Sequence, residues 1–202
     1  MHLYRLFKAA RALSITLVAT LILSACASSP KVFVNQDPNA DFTKYKTYNF
    51  MTQLGTDDRQ GMHSILSQYL INATTHELEA RGYVKSNNPD LAVDFELFTQ
   101  EKVRSTSSPS MGGAYGRRGY GAYGGYDTTV TQYTEGTLSI LLIDMTTDKK
   151  QLVWEIAAQG RITDSLRKDL EARITSGVTD LFTRYPYYAS GFVPPEPAAA
   201  KK

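Results

Sequence analysis

The sequence predicts an α+β fold, a mainly antiparallel β-sheet of about five strands with two amphipathic helices packed on one face. Three observations predict it. Apolar and polar residues alternate along 91–97, a turn at 144–149 separates two further strand-like runs, and helix-type apolar stripes precede and follow these strands. Because three successive strands follow the first helix with no helix between them, a doubly wound parallel sheet is disfavoured.

The composition is that of one globular domain. The chain has 202 residues, 42% hydrophobic and 21% charged, which is close to the average for folded proteins and excludes wholesale disorder. The formal net charge of +2 is too balanced for a protein that depends on phosphate contacts, so no nucleic-acid partner is expected. The single cysteine, Cys26, allows neither an internal disulfide nor a cysteine-cluster metal site.

The first predicted elements are two short strands and a helix. Residues 31–34 and 45–50 have strand character, and side chains alternate in the second run. Residues 57–81 predict a helix, with Asp57 or Asp58 as its N-cap and a glycine directly after its end. Three-and-four spacing defines its apolar face, which consists of Met62, Ile65, Leu66, Tyr69, Leu70 and Ala73.

The central strands have the clearest pattern. Residues 91–97 predict a half-buried strand that can continue to about residue 104, because apolar side chains share one face and Asp94 and Glu96 share the other. Residues 127–143 and 151–158 predict the two strands of a hairpin. Trp154 lies in the middle of the second run and is expected to pack in the core rather than stack on a ligand.

The last predicted element is a helix over 165–184, which Asp164 can cap and Tyr185-Pro186 ends. Its apolar stripe consists of Leu166, Leu170, Ile174, Val178, Leu181 and Phe182. The folded domain is therefore expected to span 31–186, and 187–202 are expected to form a disordered tail rich in proline, alanine and lysine.

Residues 105–126 differ from the rest of the domain, since they contain seven of the 14 glycines and four of the 13 tyrosines. The segment predicts a flexible loop, which is either a solvated hairpin tip or an adaptable surface for an envelope protein or glycan partner. Long loops in compact domains are usually functional or disordered, so both readings stay open. The candidate partner-binding residues are Tyr115, Arg117, Arg118, Tyr120, Tyr123 and Tyr126.

The first 25 residues predict a secretory signal peptide. They contain three basic residues and no acid, followed by an apolar run at 12–23 that is too short to cross a bilayer. Leu23-Ser24-Ala25-Cys26 resembles the lipobox of bacterial lipoproteins. The resemblance implies cleavage before Cys26, lipid attachment to Cys26, and a short spacer at 26–30. Alanine at position 27 favours the outer membrane, with the domain in the periplasm.

A second resemblance covers about 41–186. The chain resembles the bacterial lipoproteins grouped as domain of unknown function 4136, and the resemblance implies a compact α+β domain in the cell envelope. It implies no activity and no catalytic residues. Departures occur at Phe50, where tryptophan is more usual, and after Trp154, where Glu155 replaces a basic residue. The matching stretches, in chain order, are Asp41-Phe-Thr-Lys-Tyr-Lys-Thr-Tyr-Asn-Phe50, Pro89-Asp-Leu-Ala-Val-Asp-Phe95, Glu135-Gly-Thr-Leu-Ser-Ile-Leu-Leu-Ile-Asp144, Leu152-Val-Trp154 and Leu181-Phe-Thr-Arg-Tyr-Pro186.

Catalytic patterns are sparse, and neither a metal nor a cofactor is expected. His63 and His76 are 13 positions apart on one predicted helix, about 220° round its axis, so they cannot share a ligand on one face. The favoured interpretation is a non-enzymatic binding or structural accessory protein. The alternative is an envelope hydrolase that uses Asp94 or Glu96 as an acid or base.

Overall fold

A six-stranded sheet organises the domain. The computed structural model describes residues 30–110 and 125–194, and the elements in these ranges belong to one unit that starts at Lys31. The strands are β1 (Lys31–Gln36), β2 (Thr47–Phe50), β3 (Val84–Lys85), β4 (Leu91–Ser110), β5 (Gly125–Asp144) and β6 (Gln151–Ile162). Their order across the sheet is β1-β6-β5-β4-β2-β3.

The α+β class is confirmed. The sheet has six strands and is mixed, which corrects the prediction of a mainly antiparallel sheet of about five strands. Strands β4, β5, β6 and β1 pair antiparallel, but β2 pairs parallel with both β4 and β3. The parallel pairs arise because a helix separates β2 from β3 and β4 in the chain, and such a crossover returns the chain in the same direction. β3 was not predicted, since two residues carry no periodicity.

The first helix, α1, spans Ile65–Glu79 rather than 57–81. Its N-cap is Ser64, whose side chain accepts a hydrogen bond from the backbone N–H of Ser67, so the prediction of an aspartate cap is wrong. The preceding residues form a loop instead, because Asp57 binds the backbone and side chains around the helix start.

The C-terminal helical region is broken in two. A short helix, α2 (Asp164–Arg167), precedes α3 (Leu170–Phe182), so the predicted continuous helix over 165–184 is wrong. Lys168 has extended backbone, and Asp169 adopts the left-handed conformation with φ 58°. Aspartate tolerates this conformation better than most residues, which allows the chain to turn sharply between the two helices.

Both long helices contribute to one core with the sheet. Trp154 of β6 is fully buried, as predicted, and its ring lies 4.9 Å from that of Tyr185 and 6.1 Å from that of Phe182. The hydroxyls of Tyr83 and Tyr185 are 2.9 Å apart within this aromatic cluster, so their polar atoms are paired although buried.

The ordered domain extends past the predicted boundary at residue 186. The ring of Tyr187 stacks on that of Phe42 at 3.8 Å, and the backbone N–H groups of Ala189 and Ser190 donate to the carbonyls of Arg81 and Tyr45. The expected disordered tail over 187–202 is therefore wrong for its first part, because aromatic packing holds it. Residues 195–202 lie outside the described ranges.

Candidate functional site

A projecting β-ribbon is the most distinctive surface feature. Strands β4 and β5 pair along their whole length, but β6 pairs with β5 only from Thr134 onward, and β2 pairs with β4 only at its start. Among the described residues, the nine pairs from Lys102↔Tyr133 to Ser110↔Gly125 therefore have no third strand. At about 3.4 Å per residue this ribbon, here called the arm (102–110 and 125–133), is about 30 Å long.

The two faces of the arm differ. Val103 and Val130, 63% and 61% exposed, lie on the face that continues the core side of β4 and β5. On the opposite face Lys102 forms an ion pair with Glu135, and the Arg161 guanidinium lies 4.0 Å from the centre of the Tyr133 ring. Polar contacts thus stabilise the arm where it joins the rest of the sheet. The opposite face exposes Val103 and Val130 to solvent.

The arm occupies part of the segment predicted as a loop over 105–126. Residues 105–110 and 125–126 are paired strand, which corrects that boundary, because backbone pairing continues beyond the point where apolar alternation ends. The backbone of Tyr126 pairs with that of Pro109. The other candidate residues lie outside the described ranges, namely Tyr115, Arg117, Arg118, Tyr120 and Tyr123.

A buried carboxylate, Asp144, lies at the end of β5. Its Oδ2 accepts hydrogen bonds from the Tyr45 hydroxyl at 2.7 Å and the Lys44 ammonium at 2.9 Å, and its Oδ1 accepts from the backbone N–H and hydroxyl of Thr146. Burial by itself would raise the pKa of Asp144, but these donors outweigh it and lower the pKa to about 2. Burial, and next the bond to Asp144, raise the pKa of Tyr45 above its usual value.

A second buried carboxylate, Asp57, organises the start of α1. It accepts hydrogen bonds from the Ser67 hydroxyl at 2.5 Å and the Ser64 backbone N–H at 2.9 Å, and His63 Nδ1 lies 2.8 Å from it. Burial acts to raise its pKa, but the hydrogen bonds dominate and lower it to about 2. Ser67 contacts the carboxylate and not the imidazole, so this cluster does not place a histidine base against the serine hydroxyl.

A third polar cluster joins α1 to α3. Glu77 is buried, accepts hydrogen bonds from Arg81 at 2.7 Å and from the Thr179 hydroxyl at 2.8 Å, and so has both carboxylate oxygens engaged. Arg81 also donates to the carbonyl of Phe182 at 2.8 Å. The cluster joins the C-terminal halves of the two long helices. The sequence did not predict it, because Thr179 and Phe182 lie about 100 positions beyond Glu77 and Arg81.

The carboxylates of the alternative enzyme hypothesis, Asp94 and Glu96, differ in their surroundings. Asp94 accepts a hydrogen bond from the Gly55 backbone N–H at 3.0 Å, while Glu96 is exposed. His76 has an 81% exposed side chain. Among the described residues no three or more His, Cys, Asp or Glu side chains form a group that could hold a metal.

A cavity of about 330 Å³ lies beside the C-terminal segment. The carboxylate of Asp41 in its wall already accepts hydrogen bonds from the backbone N–H and hydroxyl of Thr43, so the charged group of the wall is engaged. The cavity is lined by Ala40, Asp41, Phe42, Thr43, Pro186, Tyr187 and Tyr188.

The family model of a domain of unknown function, DUF4136, matches residues 32–187. The chain belongs to the DUF4136 family. This DUF4136 match runs from β1 to the segment after α3, so the arm lies inside it. Cys26 precedes the match and lies outside the described residues. No helix in the described part of the chain is long and apolar enough to cross a membrane.

Comparisons beyond the DUF4136 family bear on fold alone. No curated protein matches the chain. A PDZ domain protein from Parabacteroides distasonis is similar in structure, with a TM-score of 0.50 and 17% identity, over 86% of this chain and 40% of that chain. A PelC dodecamer from Paraburkholderia phytofirmans matches at a TM-score of 0.42 and 13% identity, over 79% of this chain and 99% of that chain.

Proposed function

We propose that this DUF4136 chain is a non-enzymatic lipoprotein of the Gram-negative envelope, anchored through Cys26, that binds a partner with its arm. The lipobox-like quartet and the basic, then apolar, residues before it support the anchor. β1 begins at Lys31, so only five peptide steps separate it from Cys26 and the connection spans at most about 18 Å. The domain would therefore lie close to the membrane surface. Alanine at position 27 favours the outer membrane over the inner membrane.

The arm is the observation that carries the binding role. It extends about 30 Å beyond the point where β6 stops pairing with β5. A two-stranded ribbon without further cover is marginally stable in water, so a chain that maintains one gains reach rather than stability. The arm leads to the glycine- and tyrosine-rich segment, whose tyrosines and arginines can adapt to a protein or glycan surface.

The state of the buried carboxylates supports a role without catalysis. Asp57, Glu77 and Asp144 each accept several hydrogen bonds from side chains or backbone of this domain. Asp57 and Asp144, whose pKa is lowered to about 2, are poorly suited to take up a proton near neutral pH. Each one is better explained as a clamp between chain segments.

The anchor is tested by metabolic labelling with an alkyne analogue of palmitate in a Gram-negative host. The wild-type chain should be labelled and should sediment with outer membranes, whereas Cys26→Ala should be unlabelled and retain its signal peptide. Absence of label on the wild-type chain would refute the anchor and leave the binding role untouched.

Binding by the arm is tested with photo-crosslinkers placed at Tyr115, Tyr120 and Tyr123 in the full chain in cells. We expect one recurrent crosslinked band, which is lost when the other tyrosines of the 111–124 segment are changed to serine. A crosslinker at Tyr188, which is exposed and distant in sequence, is the matched control. Equal crosslinking from Tyr188 and from the 111–124 segment, or none from that segment, would contradict the binding role.

A further inference from the structure

The outer edge of β5 within the arm is an unprotected strand edge. From Thr128 to Tyr133 its backbone has β4 on one side and, within residues 30–110 and 125–194, no strand on the other, because β6 ends at Ile162, which pairs with Thr134. Natural edge strands are usually protected by charges, prolines or bulges. The side chains from Thr128 to Gln132 are Thr, Thr, Val, Thr and Gln, with no charge and no proline.

The other edge of the arm is different. The β4 edge includes Glu101, Lys102 and Arg104 within four positions. Charges on an edge oppose pairing with another strand, and basic side chains are common guards. The uncharged part of the β4 edge, from Ser105 to Ser108, is mostly serine and is followed by Pro109. The uncharged residues of high strand propensity therefore lie on the β5 edge from Thr128 to Gln132, directly after Asp127.

We propose that two copies of this chain pair through the β5 edges of their arms, antiparallel, about a two-fold axis at Val130. Val130 is the middle residue of the uncharged stretch from Thr128 to Gln132, and it lies three positions before Tyr133, the last residue before β6 begins to pair. A two-fold axis normal to the sheet places Val130 opposite its own copy. Thr129 then faces Thr131 of the second copy, and Thr128 faces Gln132.

Each of these cross-strand pairs is favourable. β-branched side chains pack against one another and threonines exchange hydrogen bonds, and no like charges meet. The paired arms form a four-stranded sheet. Four strands are more stable in water than the two-stranded ribbon of one arm, which is only marginally stable alone. The two Val130 side chains, exposed in one copy, cover each other. This pairing goes beyond the proposed function. It depends neither on lipid attachment to Cys26 nor on which partner the protein binds.

Disulfide trapping in the full chain tests the pairing. Directly opposite residues in antiparallel strands have Cα atoms about 4.5–5.5 Å apart, within the range that a disulfide spans. Membranes from cells that express Val130→Cys are oxidised with copper phenanthroline and resolved on non-reducing gels. The matched control is Val103→Cys, on the same face, almost equally exposed, and on the β4 edge. The parent chain controls for Cys26.

We expect about tenfold more crosslinked dimer from Val130→Cys than from Val103→Cys or the parent. Equal dimer from both variants, or none from Val130→Cys, overturns the proposal. A second measurement, sedimentation of the detergent-solubilised full chain, should give a dimer for wild type and Val130→Thr and a monomer for Val130→Lys, which places two like charges opposite each other. A monomeric wild type, or a dimeric Val130→Lys, also overturns it.

Discussion

The hydroxyl of Tyr45 donates a 2.7 Å hydrogen bond to Oδ2 of Asp144, a residue 99 positions further along the chain. Both side chains are buried, and Lys44 and Thr146 complete the shell around the carboxylate. The contact joins the segment before β2 to the end of β5. It closes the sheet at the end opposite the arm, because Asp144 pairs with Leu91 at the start of β4.

Tyr45→Phe should lower the free energy of unfolding by about 2 kcal/mol, because it removes a donor from a buried carboxylate and keeps the ring. Urea unfolding followed by circular dichroism measures the change. Tyr188→Phe removes the hydroxyl of a 44% exposed tyrosine and should change the value by about 0.5 kcal/mol or less. Equal effects of the two variants would refute a stabilising role of the Tyr45–Asp144 bond.

The domain should lose stability steeply as the pH falls from about 4 toward 2. Asp57 and Asp144 have pKa values of about 2 in the fold, below the ordinary 3.8. A depressed pKa means that the folded state favours the ionised form, so the contribution is complete above the unfolded pKa and is lost as pH drops through the folded one. Unfolding free energies between pH 7 and 2 measure this slope. It should flatten in Asp57→Asn combined with Asp144→Asn, and an unchanged slope would contradict the assignment.

Arg81→Met should destabilise the domain by about 3 kcal/mol, since it leaves the buried Glu77 carboxylate without its cation. Adding Glu77→Leu to this variant should restore part of the loss, because a buried ion pair can often be replaced by apolar side chains at little cost. Denaturant unfolding of both variants measures the difference. A double variant less stable than Arg81→Met would show that Glu77 acts independently of Arg81.

Gly82→Ala should cost more stability than Gly61→Ala, although both glycines have positive φ, 84° and 75°. An added Cβ at Gly82 would overlap the ring of Phe192, whereas at Gly61 it meets nothing within 4 Å. We expect about 1 kcal/mol at Gly61 from backbone strain and about 3 kcal/mol at Gly82 from strain and overpacking. Thermal unfolding compares them, and similar losses would mean that Phe192 does not pack on this glycine.

Local patterns predicted the elements that carry their own period. The alternation from Leu91 to Leu97 correctly predicted β4, and Trp154 lies in the core as expected. The two-residue strand β3 and the break at Asp169 were missed. The first contains too few residues for a period, and the second interrupts an apolar stripe that runs continuously in the sequence.

The sequence by itself determined the α+β class, the buried face of β4 from Leu91 to Phe95 and the family, because hydrophobic period and ordered motifs are local properties. The predicted apolar face of α1 is wrong at its start, because Met62 precedes the helix and both Met62 and Ile65 are exposed. Only the tertiary structure decided the parallel pairing of β2, the clamps around Asp57, Glu77 and Asp144, and the length of the arm. These depend on which distant segments meet. Partner choice in a sheet, and hydrogen bonds across about 100 residues, leave no periodic trace in the chain that makes them.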